Sequence, residues 1–184
     1  MSLVELIAQA DERGLAASGL ACLDRCVPLL GGDDEILRPL WGNLTADSDA
    51  AEWAELLEQA RGKLAGATEE DDEAGLLARR MLDATPDDRS AAGIRLWADA
   101  CSVASLQIHR LLDPAEDASS VDSRREGRTE GMPPLVAAEL RRQISVLEVL
   151  AGHGAGGLRR ALDITTEGRR VLRAVVSRRA RGRK

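Results

Sequence analysis

The chain has 184 residues and a net charge of -6, and it contains no Phe and no Tyr; three Trp are its only aromatics. Twenty-seven Leu and 29 Ala, both strong helix formers, supply most of its apolar mass, which argues against a β-rich fold and for an all-α one. No apolar run approaches the roughly 18 residues of a membrane span, the N-terminus lacks the basic and apolar regions of a secretory signal, and three Cys fit a reduced compartment better than a disulfide framework, so a cytoplasmic location is expected.

Ser2-Leu3-Val4-Glu5 has the form of a capping box. Leu3, Leu6, Ile7 and Ala10 then share one helical face, with Gly14 as the expected stop. Residues 15–30 carry little charge beyond Asp24 and Arg25, the pattern of a helix buried nearly all round, and Gly31-Gly32 closes it. Asp33 is expected to cap a short helix bearing Ile36, Leu37, Leu40 and Trp41, with Pro39 disturbing its middle. Trp53, Leu56, Leu57, Ala60 and Leu64 form a stripe over 49–64. Thr68 is expected to start the next helix, to about Asp83, with the acidic run Glu69 to Glu73 in its first turn, where the helix dipole favours it; an acidic docking surface is the other use of such a run. Thr85-Pro86-Asp87-Asp88 reads as a further helix start, leading into the stripe Ile94, Ala98, Cys101, Ser105, Ile108 and Leu112 and a helix of roughly 40 Å.

Residues 113–133 are polar, and over 113–132 there is no Leu, Ile or aromatic residue, so a mobile linker is expected. From Pro134 a helix carries Val136, Leu140, Ile144, Leu147 and Leu150, and Gly152, Gly154, Gly156 and Gly157 interrupt it. A last helix runs from about 158 into a tail rich in Arg. The charge divides along the same line. Residues 1–123 carry 10 basic and 25 acidic groups, and residues 124–184 carry 15 basic and 6 acidic. Such asymmetry suggests a polyanion, an acidic protein surface, or the two parts attracting each other. The expected architecture is an acidic helical bundle over 1–112, a flexible linker over 113–133, and a C-terminal helical hairpin with a basic tail over 134–184.

Few residues suggest chemistry. Gly152, Gly154 and Gly157 satisfy the spacing G-x-G-x-x-G, and the stretch Ser145 to Leu162 resembles the first motif of class I methyltransferases. Both uses need a strand before the loop and a parallel sheet around it, and only 27 residues follow Gly157. The glycines are better read as a helix end and a tight connection. Cys22 and Cys26 share a helix face, and with Cys101, His109 or His153 they could offer metal ligands, but a C-x-x-x-C pair in an apolar helix more commonly packs. No nucleophile or paired carboxylates stand with either His as a catalytic constellation, so no enzyme, cofactor or metal site is expected.

Ala161 to Val176, ALDITTEGRRVLRAVV, resembles a helix-turn-helix core in Ala161, Leu162, Ile164, Thr165 and Leu172. It departs from that pattern at Asp163, where the family prefers Gly, and at Arg169, where it prefers Val. The resemblance implies that Thr166, Arg169, Arg170 and Arg173 lie near the major groove while Arg178, Arg179, Arg181, Arg183 and Lys184 contact phosphates. The other reading is an amphipathic C-terminal helix whose arginines stay solvated or bind the acidic part. The expectation is therefore a non-enzymatic helical interaction protein acting on a protein partner or on itself as a homodimer, with a helix-turn-helix-like regulator binding DNA or another polyanion as the alternative.

Overall fold

The computed structural model describes residues 1–45 and 50–182, and among them every regular element is helical. Helix α1 spans Leu3–Gln9 and has the expected box: Ser2 Oγ accepts from the Glu5 N–H at 3.3 Å, and the Glu5 carboxylate accepts from the Ser2 N–H at 2.7 Å. Helix α2, Glu12–Arg25, begins before Gly14, because the Asp11 carboxylate accepts from the Gly14 N–H at 2.8 Å and caps it. Every residue from Gly14 to Arg25 is buried. The helix gives way to a 3₁₀ turn, Val27–Leu30, that contains Pro28 and ends at Gly31 in the left-handed region, φ 74°. Helix α3, Arg38–Asn43, has Pro39 in its first turn rather than its middle, the position where a missing N–H costs least.

Helix α4 spans Ala50–Lys63, and its buried Trp53 donates from Nε1 to the Pro86 carbonyl at 2.9 Å. Helix α5, Glu73–Asp83, starts later than Thr68 because Asp72 caps it, accepting from the Gly75 N–H at 3.0 Å. Glu69, Glu70 and Asp71 thus precede the helix and are exposed. Thr85 to Asp88 also lie outside any helix. Thr85 turns its hydroxyl back to the Met81 carbonyl at 3.0 Å, and its own carbonyl accepts from Arg61 at 2.8 Å, so this stretch joins α5 to the next helix instead of starting it. Helix α6, Ala91–Leu112, follows Ser90 and is about 33 Å long. All of the stripe Ile94, Ala98, Cys101, Ser105, Ile108 and Leu112 is buried.

Residues 113–133, expected as a mobile linker, hold the short helix α7, Val121–Arg125, capped by Ser120. Its anchors are guanidinium groups rather than large apolar side chains. Arg124, 2% exposed, donates to Asp117 at 2.6 Å and to the carbonyls of Arg128 and Glu130 at 2.8 Å each. Arg125, also buried, donates to Ser102 at 3.1 Å and pairs with Asp99. Helix α8, Pro134–His153, a turn over Gly154–Gly157, and helix α9, Leu158–Gly182, complete the chain.

Helix α2 lies at the centre and packs against α6, α8 and α9. One apolar cluster joins residues of 1–112, such as Leu20 and Leu106, with Val136, Leu140, Leu172 and Val175 of the C-terminal hairpin. Two glycines set the closeness of this packing. A Cβ on Gly19 would stand 2.5 Å from the Trp97 ring, and one on Gly168 would stand 2.5 Å from the Arg25 side chain. The first lets α6 lay its Trp on α2. The second lets α9 approach the arginine that α2 buries.

Candidate functional site

Where α2, α6 and α8 meet, the apolar interior gives way to polar groups. Arg25 and Glu139 are both fully buried, and they form a two-point pair: Arg25 Nε donates to Glu139 Oε2 at 2.9 Å and its terminal nitrogen donates to Oε1 at 2.7 Å. Ser105 Oγ and Gln143 Nε2 also donate to Oε1, at 2.7 and 3.0 Å. Ser102 donates to Gln143 Oε1 at 2.6 Å and accepts from Arg125, which carries the network out to Asp99 at the surface. His109 Nδ1 lies 2.6 Å from the Ser105 carbonyl, which can only accept, so Nδ1 carries a proton. Its Nε2 faces Glu139 Oε2 at 3.6 Å.

Burial alone would raise the Glu139 pKa, but the Arg25 charge beside it, with His109 and the hydrogen bonds it accepts, overrides burial and holds it at about 2. Burial dominates at His109 and lowers its pKa from 6.5, so the ring is neutral at pH 7. Burial pushes the Cys22 thiol up to about 12 and raises Cys26 and Cys101 as well, which leaves all three as inert thiols rather than thiolates. Arg25, Glu139 and the cysteines are closed to solute, so this network holds three helices together and does not present a reactive group.

A second cluster joins α9 to the acidic part. The Asp24 carboxylate accepts from Trp41 Nε1 at 2.9 Å and from Arg169 at 2.6 Å. Burial raises the Asp24 pKa, against the pull of Arg169 and Trp41. Arg173 donates to Asp34 at 2.7 Å and to the Gly32 carbonyl at 3.1 Å.

These contacts redistribute the residues singled out in the sequence. Ala161 to Val176 lies wholly inside the continuous helix α9, so the turn of a helix-turn-helix is missing. Asp163 stands where a Gly would open such a turn. Thr165 and Thr166 donate back to the carbonyls of Ala161 and Leu162, at 2.8 and 2.9 Å, instead of capping a new helix. Thr166 is half-buried; Arg169 is buried and paired with Asp24, and Arg173 is paired with Asp34 in a part-exposed contact. Arg170, Arg178, Arg179 and Arg181 are exposed, and their side chains make no hydrogen bond or ion pair to any described residue. Arg183 and Lys184 lie outside the described residues.

Sequence reasoning did not find the Arg25–Glu139 pair, although charged residues at the end of an otherwise apolar helix were its visible sign. Among the described residues no three His, Cys, Asp or Glu side chains are grouped to hold a metal ion, and no helix is long and apolar enough to cross a membrane. No protein-family model, curated protein or solved structure matches the chain.

Proposed function

We propose that this chain is a non-enzymatic interaction protein of the cytoplasm that offers the C-terminal end of α9 to an acidic partner protein. The observation that carries this reading is the division of the α9 arginines. Arg169 and Arg173 are taken up by Asp24 and Asp34, whereas Arg178, Arg179 and Arg181 are exposed and unpaired. Even paired surface charges stabilise by only about 0–1 kcal/mol each, so unpaired ones contribute little to folding and are free to bind. The test compares the full chain with one lacking residues 178–184. Deletion should leave the thermal midpoint within a few degrees and abolish cross-linking to an acidic partner in cell extract. Unchanged cross-linking would overturn the reading.

Nucleic acid is the second reading, supported by the same exposed arginines. It predicts duplex DNA binding that falls steeply with salt, by a slope of about -0.9 per neutralised phosphate, and that is lost with the deletion. A flat response removes it.

A further inference from the structure

At the same end of the molecule the last turn of α6, the first residues of α8 and the last turns of α9 enclose an open groove of about 460 Å³. Leu112, Leu135, Val175, Pro114 and Pro134 give it an apolar lining, in which Leu112 and Val175 are buried. Arg178 and Arg179, exposed and unpaired, also line it. The one acid in the lining, Asp113, is already engaged: one of its oxygens accepts from the Ala115 N–H at 2.9 Å and the other from the Leu135 N–H at 2.8 Å.

We infer that this groove docks a segment of a partner protein in which apolar side chains are flanked by Asp or Glu. The inference rests on the proposed interaction role and names the chemistry of its partner. The apolar part of the lining favours burial of aliphatic side chains, which a bare inorganic anion does not offer. Arg178 and Arg179 in the same lining favour carboxylates and disfavour basic segments. A second copy of this chain is a poorer occupant. Its exposed large apolar side chains, among the described residues, are Met1, Val4, Leu96 and Val171. The acid three residues after Leu96, Asp99, is paired with Arg125, the one beside Val4, Glu5, closes the α1 cap, and Val171, one turn after Glu167, stands next to the exposed Arg170, which Arg178 and Arg179 would repel.

The test uses the full chain and two labelled octapeptides, one with two leucines between blocks of three glutamates and one with two serines in their place, read by fluorescence anisotropy. The leucine peptide should bind saturably and at least about tenfold more tightly than the serine peptide, and Arg178→Glu/Arg179→Glu should weaken it by about tenfold or more. Leu135→Ala, checked for an unchanged circular dichroism spectrum, should weaken the leucine peptide and leave the serine peptide unaffected. Equal binding of both peptides overturns the groove while leaving the acidic-partner reading intact. Binding of neither overturns both. Displacement of the leucine peptide by one equivalent of decanoate overturns the assignment to a protein segment, and concentration-dependent self-association blocked by the arginine substitutions assigns the groove to a second copy instead.

Discussion

Replacing Glu139 by Gln tests whether the buried polar network governs stability. The substitution keeps the shape of the side chain but removes the counter-charge of Arg25, which is fully buried and whose two charge-assisted hydrogen bonds, at 2.7 and 2.9 Å, both end on Glu139. The Gln amide would also turn an N–H towards donors already aimed at that position from Arg25, or from Ser105 and Gln143. Leaving one partner of a buried pair uncompensated costs about 3–5 kcal/mol. For a chain of this size each kcal/mol lowers the thermal midpoint by about 2–4 °C, so a drop of roughly 6–20 °C is expected. Urea unfolding followed by far-ultraviolet circular dichroism measures the cost directly. The double change Arg25→Met/Glu139→Leu should recover most of the loss, because a buried ion pair exchanged for packed apolar groups is often neutral or better. A Glu139→Gln protein within about 1 kcal/mol of the native one would refute the reasoning.

Acidification should destabilise the fold in two stages. Burial sets the His109 pKa below 6.5, so the unfolded chain takes up that proton first and stability falls as the pH drops below about 6.5; Glu139, held at about 2 against 4.5, adds a loss between those values. Urea midpoints across pH check this, and His109→Gln should remove the upper stage and, because His109 also helps hold the Glu139 pKa down, shrink the lower one. Gly19→Ala should cost about 1–3 kcal/mol, since its Cβ would meet the buried Trp97 ring at 2.5 Å; an unchanged thermal midpoint would contradict the packing. The thiols of Cys22, Cys26 and Cys101 should resist a thiol reagent until the chain unfolds, and Cys22→Ala/Cys26→Ala should cost about 1–3 kcal/mol without releasing zinc.

Elements whose burial follows from periodicity were legible in the sequence. The stripe from Ile94 to Leu112 and the all-round burial of α2 need only local spacing to be seen, and the Ser2–Glu5 cap needs four adjacent residues. What was not legible depends on groups remote in the chain. Thr85-Pro86-Asp87-Asp88 carries a helix-start pattern, yet Arg61 and Trp53 from α4 claim the carbonyls of Thr85 and Pro86. The polar stretch after Leu112 suggested mobility because it lacks apolar anchors, but the Arg124 guanidinium has five N–H donors and finds Asp117 and two carbonyls to receive them. The stretch resembling a helix-turn-helix stays in one helix from Leu158 to Gly182, and Asp24, 145 residues away, takes the charge of Arg169.

The charge asymmetry resolves into an internal and an external part, and salt separates them. Asp24 with Arg169, Asp34 with Arg173, Asp99 with Arg125 and Asp117 with Arg124 each join an acid of residues 1–123 to an arginine of residues 124–184. These pairs account for part of the opposing charge, and Arg169, Arg124 and Arg125 are buried within them. Arg170, Arg178, Arg179 and Arg181 have no such acids and are exposed. At 1 M salt the screening length falls to about 3 Å, which suppresses attraction between exposed charges but acts far less on buried pairs. The thermal midpoint should therefore change by only a few degrees between low and 1 M salt, while binding through the end of α9 should be lost. A fold that melts when salt is raised would mean that the acidic and basic parts are held together by screened surface attraction, and the arginines assigned here to a partner would be part of that attraction.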